Sequence, residues 1–159
     1  MTTTAKPVPD GMHTVTPHLV VRGAAQAIKF YEKAFDAQTM GVSEAPDGKL
    51  IMHAALKIGD SVVFLCDEMP EGCTSSPQAL GGTPVTLHLY VNDADEWFQR
   101  AVEAGAESVM PLMDAFWGDR YGVVKDPYGH SWSIATHHED LTPEQMKQRQ
   151  EEFFAQMPK

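Results

Sequence analysis

The sequence predicts an α+β protein built from two βαβββ modules that are followed by a C-terminal helix. Its 159 residues, of which 43% are hydrophobic and 21% are charged, suffice for one compact unit with a buried core. Two further observations define the module. The first half of the chain resembles the second half at an offset of 70 residues, and each half shows strand alternation on both sides of one helical pattern. The chain is therefore interpreted as a duplicated supersecondary unit.

The internal repeat is clearest between residues 16 and 36, where six residues are identical to those 70 positions later. At roughly 5–7% agreement per position, chance predicts about one or two identities. A shared apolar pattern does not explain identical polar residues, so these favour a true duplication. The six pairs are Thr16 and Thr86, His18 and His88, Leu19 and Leu89, Val21 and Val91, Ala24 and Ala94, and Ala34 and Ala104.

Each half begins with an alternating run, residues 14–21 and 85–91, that is typical of a half-buried strand. Leu19 and Val21 share one face of the first run, and His18 lies on the other face. A helix is predicted next in each half, because small and aromatic residues recur at spacings of three and four. We expect each helix to pack on the Leu and Val face, so that the histidine face points away from it.

Three strands are predicted after each helix, and the last two of them form a hairpin. Near the end of the chain, Thr142, Pro143 and Gln145 are typical of the capped start of another helix. The predicted boundaries are an N-terminal tail at 1–13, the first module at 14–67, a linker at 68–84, the second module at 85–137 and a C-terminal helix at 138–159.

The composition argues against two classes of partner and indicates a cellular location. With 12 basic and 22 acidic residues, the formal net charge is −10, which argues against nucleic acid and against an anionic membrane surface. Cys66 and Cys73 match neither a zinc spacing nor a redox spacing, so both are interpreted as ordinary thiols in a reducing compartment. No apolar run is long enough for a signal peptide or a membrane span, and we therefore predict a cytoplasmic protein.

Two segments carry a family resemblance: Ile-Lys-Phe-Tyr-Glu-Lys-Ala-Phe at residues 28–35 and Trp-Gly-Asp-Arg-Tyr-Gly-Val-Val-Lys-Asp-Pro-Tyr-Gly-His at residues 117–130. Together with the two βαβββ units, over residues 14–137, they resemble the vicinal oxygen chelate superfamily of glyoxalase I, extradiol dioxygenases and bleomycin resistance proteins. The second segment is most similar to the PhnB-like and bleomycin-resistance branches. The resemblance implies that the sheets curve into an open barrel around a small-molecule cavity.

The resemblance also implies where a metal would bind. In metal-dependent members, four side chains at the cavity floor hold one divalent ion, and their positions fall here on Thr16, on Val63 or Phe64, on Thr86 and on Ser133. A tight divalent site needs three or four imidazole, carboxylate or thiolate donors, and none of these residues supplies one. We therefore predict no metal ligand and no cofactor, with a divalent metal disfavoured.

His18 and His88 are the candidate catalytic residues, because each follows a vacant ligand position by two residues on the same strand face. Three roles stay open for them: hydrogen-bonding wall residues, an acid and base pair, or ligands of a displaced metal. His53, in a later strand, can join the same cavity. A third imidazole would favour the metal.

Trp117, Arg120 and Tyr121 combine aromatic surface with a guanidinium, which is typical of a site for a planar or carboxylate-bearing ligand. The alternative is a bulge at Trp117 whose loop is locked by a pair between Asp119 and Arg120. The predicted ligand pocket comprises Thr16, His18, His53, Thr86, His88, Trp117, Arg120, Tyr121 and Ser133.

The first functional hypothesis is a homodimeric protein that binds or sequesters a small aromatic or cationic ligand. The alternative is a lyase, isomerase or dioxygenase of the same superfamily. It would use His18 and His88 as acid and base, or an atypical metal site drawn from His18, His53 and His88. A third hypothesis is an interaction module whose C-terminal helix docks on another protein.

Overall fold

The structure, a computed structural model, describes residues 5–72 and 74–158. Cys73, the start of the predicted N-terminal tail and the last residue of the predicted C-terminal segment lie outside the described residues. The chain divides into two compact units at the step from Thr83 to Pro84. Each unit holds one βαβββ module, which confirms the predicted α+β fold class.

The module of the first unit forms a four-stranded mixed sheet with one long helix. Its first and last strands are parallel neighbours, and the other neighbouring strands are antiparallel. In chain order its elements are β1 (His18–Val21), α1 (Ala24–Phe35), β2 (Gln38–Glu44), β3 (Ile51–Ile58) and β4 (Ser61–Asp67), and the sheet order is β1-β4-β3-β2.

Strand alternation in β1 separates a core face from an exposed face, as predicted. Leu19 and Val21 are buried, whereas His18 is exposed. On α1, Tyr31 and Phe35 are also buried and stack on each other, with ring centroids 6.0 Å apart. The apolar side of the helix therefore forms the core of this unit with the sheet.

β1 is shorter than the predicted run, which began at residue 14. Pro17 has no N–H and cannot donate to a strand ladder, although its carbonyl still accepts a hydrogen bond from the Phe64 N–H at 2.8 Å. Thr16 consequently lies outside the strand. Its hydroxyl donates to the carbonyl of His13 over 3.5 Å.

A short helix that the sequence did not predict, α2 (Pro77–Leu80), follows the first module in the chain. The hydroxyl of the buried Ser76 caps it by accepting from the Ala79 N–H, and the Ser76 N–H donates to Glu68 over 2.6 Å. Hydrogen bonding between Ser76 and Glu68, with the Arg22 guanidinium as a smaller contribution, holds the pKa of Glu68 below its ordinary value. This region is thus tied to the end of β4.

The second unit repeats the sheet of the first and adds a C-terminal helix. The Asp93 side chain caps the second long helix and Gly105 ends it, and the predicted capping box at Thr142 is present. The elements are β5 (Thr86–Tyr90), α3 (Ala94–Ala104), β6 (Glu107–Asp114), β7 (Asp119–Lys125), β8 (Ser131–His137) and α4 (Pro143–Ala155), and the sheet order is β5-β8-β7-β6.

The two modules attach their long helices to their last strands through different side chains. In the first, the buried Asp67 carboxylate accepts from the backbone N–H groups of Gly23, Ala24 and Ile51 over 2.8–2.9 Å. In the second, the Thr136 hydroxyl accepts from the Ala94 N–H over 2.8 Å and donates to a backbone carbonyl. Both arrangements satisfy N–H groups that the first turn of a helix leaves without an intrahelical partner. Across the described residues, no helix has the length and apolar content needed to cross a membrane.

Candidate functional site

The second module places His88 on the face of its sheet opposite α3. β5 and β8 are in register at His88 and Ser133, and the His88 Nδ1 is hydrogen-bonded to the Ser133 hydroxyl at 2.6 Å. Ser133 is only 2% exposed, whereas His88 is exposed. The buried hydroxyl therefore holds one ring nitrogen of His88, while the side chain as a whole remains exposed.

Three aromatic side chains extend the surface that begins at His88. Tyr121 stacks with the His88 ring at a centroid distance of 6.0 Å, and Tyr90 meets it edge-on at 4.5 Å. Trp117 packs against Tyr121 with centroids 5.3 Å apart. These four residues, His88, Tyr90, Trp117 and Tyr121, are called the second-module cluster below. Separations of roughly 4.5–7 Å are those of favourable ring contacts.

A chain of polar side chains fixes the indole of Trp117. Its Nε1 donates to the buried Asp119 carboxylate over 3.0 Å, and the other Asp119 oxygen is hydrogen-bonded to His137 Nδ1 at 2.7 Å. The second ring nitrogen of His137 is 3.0 Å from Asp140. Hydrogen bonds to Asp140 and then to Asp119 raise the pKa of His137 above its ordinary value.

Arg120 lies on the other face of β7. The Cβ direction of Gly122, two residues along the strand, meets the Phe98 ring of α3, so alternation places Arg120 on the helix side. Its guanidinium donates to Asp95 over 2.9 and 3.1 Å, and to Asp114 over 3.4 Å. The structure does not bring Arg120 to the second-module cluster, and the predicted lock between Asp119 and Arg120 is wrong because each side chain has other partners.

The first module has a smaller cluster at the equivalent place, formed by His18, His53 and Phe64. The His53 and Phe64 ring centroids are 4.7 Å apart, and His18 lies 6.0 Å from the first and 6.1 Å from the second. Within residues 5–72 and 74–158, neither imidazole has a hydrogen-bond partner. Partial burial of the ring, followed by the neighbouring His53, lowers the pKa of His18 from its ordinary value of 6.5.

The register resolves the alternative between Val63 and Phe64. His18 pairs with Phe64 across β1 and β4, as His88 pairs with Ser133 in the second module. Phe64 contacts the histidine rings, whereas Val63 is buried. Phe64 is therefore the structural counterpart of Ser133.

The residues at the implied metal positions do not fit a divalent ion. An aromatic ring faces His18, a serine hydroxyl faces His88, and the Thr86 hydroxyl donates to Ser131 over 3.3 Å. Over the described ranges, no three His, Cys, Asp or Glu side chains form a group that could hold a metal ion. Closed divalent sites need three or four such donors.

Cys66, on β4, is a buried thiol. Burial, and secondarily the adjacent Asp67 carboxylate, raises the pKa of this thiol. A raised pKa disfavours the thiolate, which is the nucleophilic form. The interpretation of Cys66 as an ordinary structural thiol therefore fits its surroundings.

Sequence reasoning missed two contributors to these clusters. Tyr90 lies two residues after His88, so the alternation that selected His88 could have selected it as well. Phe64 was considered only as a vacant ligand position, although its ring packs against both histidines of the first module. For Tyr90 the available signal was its spacing of two residues from His88, whereas the position of Phe64 beside His18 depends on strand pairing.

The chain matches a family model described as the Glyoxalase/Bleomycin resistance protein/Dioxygenase superfamily over residues 11–134. An uncharacterized protein of Mycobacterium tuberculosis is 57% identical over 123 residues, which cover 76% of this chain and 72% of that protein. The X-ray structure of an Arabidopsis thaliana gene product has a TM-score of 0.64 and 28% identity, and the match covers 78% of this chain and 98% of that chain.

A PhnB protein of Bacillus cereus shares the fold as well. Its TM-score is 0.56 at 18% identity, and the match covers 78% of this chain and 99% of that chain. The resemblance stated from residues 28–35 and 117–130 is thereby confirmed, with a PhnB protein among the structural neighbours. Because the family model spans most of the sequence, this chain belongs to the Glyoxalase/Bleomycin resistance protein/Dioxygenase superfamily.

Proposed function

We propose that this protein binds a small planar ligand on the second-module cluster and does so without a divalent metal. The observation that carries the proposal is the arrangement of His88, which is exposed, stacked with Tyr121 and hydrogen-bonded to the buried Ser133. A flat aromatic surface with one oriented polar group is typical of sites that bind planar molecules. Sequestration needs no further chemistry.

The electrostatic surroundings favour a neutral or cationic ligand. The chain has a formal net charge of −10, which raises the local concentration of cations. Arg120, the cation nearest in sequence to Tyr121, is paired with Asp95 and Asp114 on the helix side. Arg120 is therefore not expected to pair with an anionic ligand on the second-module cluster.

The proposal is tested by a thermal-shift screen of metal-depleted protein against planar compounds of one to three rings that carry positive, zero or negative charge. A ligand at 100 times its Kd adds about 2.7 kcal/mol of stability, or roughly 5–10 °C in Tm. Tyr121→Leu should abolish the shift, whereas Phe64→Leu, which removes an aromatic ring from the histidine cluster of the first module, should preserve it. Hits that need added metal, or that survive Tyr121→Leu, would contradict the proposal.

A second candidate is a metal-free enzyme with His18 as general base. The lowered pKa of His18 favours it, because the imidazole is then neutral and can accept a proton near pH 7. Turnover of a compound by metal-depleted protein, with loss of turnover in His18→Ala, would support this candidate. About one metal ion per chain in elemental analysis, lost on His18→Ala or His88→Ala, would support an atypical metal enzyme instead.

The homodimer and the cytoplasmic location remain predictions. Size-exclusion chromatography with light scattering tests the first, and cell fractionation tests the second. The hypothesis of an interaction module is tested by deleting residues 142–159. It predicts that the deletion changes self-association or solubility, and unchanged values would count against it.

A further inference from the structure

The aromatic surface of the second module continues from Trp117 to the C-terminal helix. Phe116 meets Trp117 edge-on with centroids 5.1 Å apart, and it also contacts Phe153 of α4, with centroids 5.3 Å apart. Phe154 lies farther from Phe116, at 6.5 Å. A connected series of rings therefore runs from Tyr121 on the sheet through Trp117 and Phe116 to Phe153 on the helix.

The structure ties α4 to the loop that carries Trp117. The Gly118 carbonyl accepts from the N–H groups of His138 and Glu139 over 3.0 and 3.1 Å, just before the helix. Gly118 has a φ of +98°, and a Cβ there would lie 2.5 Å from the Glu139 carbonyl oxygen, so this approach requires glycine. Arg149 of α4 then donates to Glu139 over 2.6 Å.

The position of Phe153 is not explained by the core. No residue of α4 is fully buried, and Phe153 itself is half-buried. An aromatic side chain here adds little to a packed interior, yet it extends the ring series beyond Trp117. Contacting rings have centroids roughly 4.5–7 Å apart, so a single ring reaches only adjacent members of the series, whereas a longer planar system reaches several.

We infer that Phe153 is a specificity-determining residue that selects ligands with an extended planar system of about three fused rings over single-ring ligands. This inference rests on the proposed function, because it assigns the ligand class of the same surface. The second-module cluster holds one end of the ligand, and Phe116 and Phe153 contact the other end. The negative net charge makes a cationic ligand the appropriate probe.

The experiment uses the full chain and two cationic probes, proflavine with three fused rings and benzamidine with one. Fluorescence titration gives the Kd for proflavine, and calorimetry gives it for benzamidine. Phe153→Leu keeps apolar bulk but removes the ring, and we expect it to weaken proflavine binding about 3–10-fold while benzamidine changes less than about twofold. The matched control, Phe154→Leu on the same helix, should leave both values within about twofold.

The outcomes separate this inference from the proposed function. Wild-type protein that binds proflavine with an unchanged Kd in Phe153→Leu would overturn the inference alone, as would equal weakening of both probes. Wild-type protein that binds neither probe would overturn this inference, whereas the proposed function fails only if the screen of planar compounds also gives no ligand that depends on Tyr121. Phe116→Leu, which interrupts the ring series inside the loop, must reproduce the selective loss of proflavine affinity.

Discussion

The two modules share a topology and a register but differ in what faces the histidine of the first strand. His18 lies opposite a phenylalanine, contacts the rings of His53 and Phe64, and has a lowered pKa. His88 lies opposite Ser133, and a hydrogen bond of 2.6 Å fixes its ring. Duplication thus preserved the position of the imidazole, while one residue on the neighbouring strand determined whether it is oriented by a hydrogen bond.

The largest expected effect concerns the side chains that anchor the helices. Asp67→Ala would leave three N–H groups without an acceptor, and we expect it to lower the free energy of unfolding by about 3 kcal/mol or more. Thr136→Val, in the second module, removes one accepted and one donated hydrogen bond and should cost about 1–2 kcal/mol. Urea unfolding measures both. Equal losses of unfolding free energy in the two variants would contradict the expectation that Asp67 stabilises its module more than Thr136 does.

The next effect concerns glycines with positive φ in the two modules. Gly118→Ala combines left-handed strain with the backbone clash at Glu139 and should cost about 2–4 kcal/mol. Gly59→Ala has a φ of +58° and nothing within 4 Å of the new Cβ, so it should cost only about 1 kcal/mol. The difference between the losses of unfolding free energy in the two variants isolates the contact between the Trp117 loop and the segment before α4. No difference would mean that this contact is not maintained in solution.

Histidine titration should act in opposite directions in the two modules. The pKa of His137 is raised in the folded protein, so its stabilising effect is complete below pH 6.5 and is lost as pH rises through the folded pKa. The pKa of His18 is lowered, so its stabilising effect is complete above pH 6.5 and is lost as pH falls toward the folded pKa.

Urea midpoints measured from pH 5 to pH 9 test this sign difference. His137→Gln should remove part of the decline on the alkaline side, and His18→Gln should remove part of the decline on the acidic side. His13→Gln, at an exposed histidine ahead of β1, is the control. If both substitutions changed the slope of urea midpoint against pH in the same direction, the surroundings assigned to His18 and His137 would be wrong.

The smallest expected effect is that of Arg120→Met. The partners Asp95 and Asp114 are exposed, and an exposed ion pair contributes about 0–1 kcal/mol. Because Arg120 lies on the helix side of β7, the substitution should also leave the Kd for proflavine within about twofold. A larger loss of affinity would mean that Arg120 reaches the ligand after all.

The sequence predicted the parts of this molecule that periodicity determines. Alternation predicted that His18 and His88 lie on the faces of β1 and β5 opposite the leucines, and the capping box at Thr142 predicted the start of α4. It could not predict the partners of Arg120, because a long side chain pairs with carboxylates that only the folded chain brings near. α2 was also missed, since four residues give too little pattern.

The claim most in need of a test is that the second module carries the ligand surface without a metal. After dialysis against EDTA, proflavine is titrated into wild-type protein, His88→Ala and His18→Ala, the two substitutions being matched by the internal repeat. The account predicts unchanged wild-type affinity, a loss of about tenfold in His88→Ala and less than about twofold in His18→Ala. Loss of wild-type binding after EDTA, or a greater loss in His18→Ala than in His88→Ala, would contradict it.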